Sequence, residues 1–201
     1  MEKIFFFIVL IFSIVIHEVT HGYVADRLGD PTARLAGRLT LNPIKHIDLV
    51  GSIILPVIMI LLPGNFIFGW AKPVPYNPYH LKNPERDAAI IAVSGPLSNL
   101  FIAAIFGALA KITIATGAVA FFGVVPLFAM IVWVNVILAV FNLVPIPPLD
   151  GSKILFALLP RSANNIKMFF QQYGIIIFFF FIFFGFGLIT PIMNLLYNFF
   201  V

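Results

Sequence analysis

Long apolar runs alternate with short polar ones along this chain, and the polar ones are dense in proline and glycine. The first apolar run covers 4–25 and holds nothing more polar than Ser13 before His17, which predicts a helix long enough to cross a bilayer once. From 26 to 48 the chain turns polar, with Arg27, Arg34, Arg38 and Lys45 set among Gly29, Pro31, Gly37 and Pro43. The alternation in ARLAGRLTLNP predicts one or two short strands there, over about 32–41, at the membrane surface. Residues 49–68 are apolar but interrupted by Pro56, Pro63 and Gly64, which predicts a broken or re-entrant helix. Pro73, Pro75, Pro78 and Pro84 then bias 69–86 toward an extended, turn-rich segment.

A second crossing is expected over 87–110, with SGPLSN at 94–99 in its first half and small residues that permit close helix approach. A connector over 111–123 leads to a third crossing over 124–143. Pro145, Pro147 and Pro148 end that helix and hold an extended run, after which a short helix is expected over 153–159. A polar loop over 161–172 precedes a last crossing over 173–200. The pattern therefore predicts an all-α polytopic membrane protein: about four full spans, one broken or re-entrant helix, and a small β element near the cytoplasmic face.

Composition sharpens this. Hydrophobic residues make up 61% of 201 and charged ones 10%, too little charge to cover a soluble fold. The length suits a single domain over 1–201. Net charge is only +4, and no Lys/Arg cluster interleaves with aromatics, so no nucleic-acid partner is expected. Cysteine is absent, which excludes disulfides, thiolate ligands and a cysteine nucleophile. No small-residue cleavage site follows the first apolar run, which reads as a retained span. Basic residues gather after the first span, before the second and after the third. The positive-inside rule then puts 26–86 and 150–172 in the cytoplasm and the N-terminus outside, in the cell membrane. That orientation requires 49–68 to enter and leave on one face.

The chemistry centres on HEVTH. On a helix, His17 and His21 lie one turn apart on one face, about 6 Å along the axis, where two imidazoles can share one Zn²⁺. Glu18 beside them can take a proton from water. An ionisable cluster in an apolar span points to function unless it is fully partnered. A catalytic zinc usually takes a third protein ligand. The candidates are His46, His80, Asp26, Asp30, Asp48, Glu85, Asp87 and Asp150. Asp150 stands out at the end of the proline-held run, with Gly151 allowing a sharp turn, although it reads equally well as the N-cap of the short helix. Asn142 can hydrogen-bond a substrate carbonyl or oxyanion, or simply cap its own helix. A small transporter or channel, or an inert membrane scaffold, are the rival readings.

HEVTH, AKPVPYNP at 71–78, SGPLSN at 94–99 and FNLVPIPPLDG at 141–151 together resemble the site-2 protease family of intramembrane zinc metalloproteases. The resemblance covers nearly the whole chain and is to the compact form without an inserted PDZ-like domain. It implies His17, His21 and Asp150 as ligands of one zinc, Glu18 as the base, and Asn142 as an aid to substrate or transition-state binding. Gly95 and Pro96 would pack in the catalytic core. The implied partners are the lipid bilayer and a transmembrane protein or peptide, cleaved in or near its spanning segment.

Overall fold

The computed structural model describes residues 2–54, 57–58, 61, 69–117 and 123–201, and every regular element among them is helical. The five principal helices are α1 (Glu2–Arg27), α2 (Pro84–Ala115), α3 (Val125–Asn142), α4 (Asp150–Leu158) and α5 (Asn164–Phe200, with a π-helical turn at Phe181–Gly185). Four of them, α1, α2, α3 and α5, are long and apolar enough to cross a membrane.

The expected β element is absent: the described residues contain no strand, and Thr32–Leu35 form a single helical turn instead. The cause is local. Asp30 accepts hydrogen bonds from the backbone N–H and the hydroxyl of Thr32, which starts the turn. Gly37, at φ 63°, lies just beyond its end. Ala33 is buried while Leu35 is exposed, so the alternation that suggested a strand does not mark one buried face.

Other boundaries moved outward. α2 starts at Pro84, a residue suited to the first helical position, and runs past Lys111 to Ala115. Lys111 stays in the helix by reaching its ammonium to the Phe199 carbonyl, 2.7 Å away. Most of the expected polar loop over 161–172 is the first part of α5. Leu49–Ile54 form a π-helical turn, and the rest of the broken or re-entrant helix expected over 49–68 lies largely outside the described residues.

The core lies among α2, α3 and α5. Val132, Val136 and Val140 of α3 pack with Ala103, Phe178, Phe181, Ile189 and Met193. Ala103, Gly107 and Ala110 line one side of α2, where small side chains allow backbones to approach. A Cβ at Gly107 would come 2.5 Å from the carbonyl oxygen of Phe200. The opposite faces present Ile8, Phe101, Phe180 and Leu195 outward, as lipid-facing surfaces do. The end of α1 meets the beginning of α2, where Ala25, Leu81 and Ile91 are buried together. Residues 28–83 therefore begin and end on one face of the bundle.

The loop after α3 folds back sharply. Gly151 sits so close to the carbonyls of Leu143 and Val144 that any side chain would strike them, and Gly174 of α5 leaves room for Pro147. These two contacts return the start of α4 toward α1.

Candidate metal centre and active site

Three elements converge on α1. His17 and His21 present their rings at 88° to each other, with centroids 4.6 Å apart. Their Nε2 atoms are 3.0 Å apart, and Asp150 Oδ2, from the first residue of α4, lies 3.1 Å from one and 3.0 Å from the other. All three side chains are buried.

The ring orientations have identifiable causes. His21 Nδ1 lies 2.6 Å from the backbone carbonyl of Ile91, which can only accept, so Nδ1 carries the proton. His17 Nδ1 lies 2.6 Å from Asn99 Oδ1 and donates to it in the same way. With the proton on Nδ1, each ring in its neutral form presents its Nε2 lone pair to the other and to the Asp150 carboxylate. Three lone-pair donors meeting in a buried space repel one another unless a cation joins them. Their spacing suits one: zinc–ligand bonds of about 2.0–2.1 Å in a tetrahedron put ligand atoms about 3.3 Å apart. Gly95 leaves the adjoining space free, since a Cβ there would lie 2.5 Å from His21 Nε2 and 2.6 Å from His17 Nε2. Lys153, one turn along α4, donates to the other carboxylate oxygen, Asp150 Oδ1, at 3.2 Å.

Glu18 accepts a 2.8 Å hydrogen bond from the backbone N–H of Val74. That N–H belongs to the extended segment 69–77, in which the amides of Trp70, Lys72 and Val74 donate in alternation and that of Asn77 donates one residue out of step. Trp70 N–H donates to Gly51, Lys72 N–H to His46, Val74 N–H to Glu18, and Asn77 N–H to Asp30. Ala71 between them turns toward a cavity of about 570 Å³, whose walls include His17, Glu18, Asn142, Leu149 and Phe178. Asn142 thus reaches the same cavity as the base, while its amide donates back to the Leu138 carbonyl at 2.9 Å.

The other candidate ligands are engaged elsewhere. Asp26 pairs with Arg34, Glu85 with Lys167, and Asp87 caps Asn83 at the start of α2. Asp48 accepts from Val50 and Gly51, and His46 donates to the Thr40 carbonyl. Asp30 is fully buried, and burial alone would raise its pKa. Hydrogen bonds from the Thr32 hydroxyl, the Asn77 backbone, the His80 ring and the Thr32 backbone outweigh burial and hold it below the ordinary carboxylate range. Asp30 thereby ties the end of α1 to the segment that carries Val74.

Two residues of the site were not anticipated: Asn99, which fixes His17, and Asn135 behind it. Their signal was present, because an Asn inside an apolar span must find a buried partner.

The chain is 40% identical over 175 residues to the putative zinc metalloprotease YwhC of Bacillus subtilis, covering 85% of this chain and 76% of that one. The model of peptidase family M50 matches residues 108–185, which include Asn142 and Asp150. The chain belongs to peptidase family M50. This M50 chain is also 31% identical to the putative zinc metalloproteases Rip2 of Mycolicibacterium smegmatis, over 145 residues, and of Mycobacterium tuberculosis H37Rv, over 140. In both cases the match covers 69% of the M50 chain and 51% of the relative, so it spans about half the length of either Rip2 protein. No solved structure matches it.

Proposed function

We propose that this chain hydrolyses peptide bonds in or beside transmembrane segments of other proteins, with His17, His21 and Asp150 holding one zinc ion and Glu18 acting as base. Membership of family M50 and the buried His–His–Asp cluster make it a zinc-dependent intramembrane protease. The residue roles rest above all on the convergence of three ligand atoms: two imidazole Nε2 atoms, whose ring protons are engaged at Nδ1, and one carboxylate oxygen of Asp150.

Zinc, when bound, supplies a Lewis acid that acidifies water and polarises the scissile carbonyl. Glu18 takes the proton of the attacking water, and the Val74 N–H keeps its carboxylate aimed while it does so. Glu18 then passes that proton to the leaving amine. Asn142 lines the cavity with one amide hydrogen not used by Leu138, and that hydrogen can donate to the developing oxyanion. A substrate helix must unwind before its amides can be reached. The Ala71 edge of the extended segment, whose N–H and C=O have no partner among the described residues, can hold the unwound stretch. The expected strand over 32–41 cannot serve this purpose, since it is not a strand.

Zinc content and cleavage of a model transmembrane peptide test the assignment together. Wild type and Glu18→Gln should each carry about one zinc, His17→Ala and Asp150→Ala far less, and Glu18→Gln should lose about 10²–10⁴ in turnover. Zinc retained in Asp150→Ala would break the ligand set. Folded wild type without zinc would defeat the assignment altogether.

The basic residues around 26–86 and 150–172 support an active site facing the cytoplasm in the cell membrane. A chain without cysteine allows a direct check by single-cysteine labelling. Lys45→Cys should react from the cytoplasmic side and Thr113→Cys from the other, and the reverse pattern would invert the orientation.

A further inference from the structure

We infer that Asn135, on α3 and outside the metal cluster, is a positioning residue: through Asn99 it dictates which nitrogen of His17 faces the metal site. This rests on the zinc reading of that site. Asn99 and Asn135 are completely buried, and Ser13 nearly so, in the apolar interior between α1, α2 and α3. Asn135 Nδ2 donates to the Ile131 carbonyl at 2.9 Å and to Ser13 Oγ at 3.0 Å. Its Oδ1 is therefore left facing Asn99, whose Nδ2 donates to it at 2.9 Å and to the Ser13 carbonyl at 3.3 Å.

The direction of this chain is fixed at both backbone anchors, because the carbonyls of Ile131 and Ser13 can only accept. Turning the Asn135 amide over would set its Oδ1 against the Ile131 carbonyl and its NH₂ against that of Asn99. Turning Asn99 over would set its Oδ1 against both the Ser13 carbonyl and Asn135 Oδ1. Neither amide can flip alone, and Asn99 Oδ1 is held toward His17. An acceptor there requires the proton on His17 Nδ1, which leaves the Nε2 lone pair for the metal. His21 needs no such device, since a backbone carbonyl does the same work for it directly.

The arrangement joins the third helix to a ligand on the first without either asparagine touching Asp150 or the cavity. A polar network that only held the helices together would not need its last acceptor aimed at an imidazole. The chemistry assigned to Asn135 is therefore selection of a tautomer, and its loss should be felt at His17.

The test uses full-length protein in detergent, with Asn135→Leu, which removes the network, and Asn135→Asp. In the buried interior the aspartic acid is kept neutral, so its O–H can donate toward Ile131 or Ser13 while its C=O still accepts from Asn99. The first readout is zinc affinity by competition with a chelator. The second is the His17 Nδ1 proton in ring-labelled, metal-free protein, assigned by its loss in His17→Ala. Wild type should show a downfield, slowly exchanging proton. Asn135→Leu should lose it and bind zinc about tenfold more weakly, and Asn135→Asp should restore both. If Asn135→Leu does not fold, Asn135→Ala takes its place with the same expectation. A folded variant with a lowered unfolding temperature but wild-type zinc affinity and an unchanged His17 proton would overturn the inference. The proton is read without metal, so wild type that bound no zinc would sink the metal reading while the orientation of His17 was still decided.

Discussion

Gly95→Ala should remove the metal without unfolding the protein. The added Cβ would lie 2.5 Å from Cε1 and Nε2 of His21 and 2.6 Å from Nε2 of His17. Non-bonded contacts to carbon settle near about 3.5 Å, so both rings must withdraw by about 1 Å. Metal sites tolerate deviations of only about 0.2 Å in ligand distance. Neither ring can retreat freely, because each is held at Nδ1, one by Asn99 and the other by Ile91. Disturbing two ligands at once should cost more than the roughly 10–100-fold affinity loss that follows removal of a ligand's hydrogen-bond partner. The fold itself should survive. Alanine is favoured over glycine by about 0.8–1.0 kcal/mol in a helix interior. Loss of the two imidazole hydrogen bonds costs about 1 kcal/mol each. The metal-free proteins should therefore differ in stability by only about 1 kcal/mol, a difference derived from those two terms. Zinc competition against a chelator, with thermal unfolding of the metal-free forms alongside, measures both quantities. Wild-type zinc affinity in folded Gly95→Ala would refute the placement of the metal beside Gly95.

Val74→Pro removes the N–H that holds Glu18 while leaving the extended backbone between Pro73 and Pro75. A hydrogen bond to a charged group contributes about 1.5–3 kcal/mol, so turnover should fall about 10–100-fold with zinc content unchanged; equal turnover would mean the bond does not aim the base. Asp30→Asn addresses pH. The Asp30 pKa is lowered on folding, so the group stabilises the fold above the unfolded carboxylate value of about 3.9 and loses that contribution as pH falls through the lower folded value. Denaturation followed against pH should show the variant less stable than wild type near neutrality, by about 2 kcal/mol, with the gap narrowing in acid. A gap constant down to strongly acidic pH would show that the Asp30 charge is not the cause.

The sequence by itself determined what depends on neighbours in the chain. Apolar runs longer than a bilayer is thick have no stable alternative to helix, so the four crossings were legible in their number and approximate place. The pairing of His17 with His21 follows from helical spacing alone, and three prolines within four residues forced α3 to end before Asp150. Short alternation was the weak signal, and it failed at 32–41. There one side-chain interaction, Thr32 with Asp30, outweighs a pattern of only a few residues. Tertiary structure decided everything that required distant segments to meet. Asp150 stands 133 residues from His17, and on sequence alone it was as much a helix cap as a ligand. Only the backfolding permitted at Gly151 and Gly174 brings its carboxylate to the two imidazoles. The same holds for Asn99 and Asn135. Each is visible as a polar residue in an apolar span, but which partner it finds depends on how α1, α2 and α3 pack, and that packing orients His17.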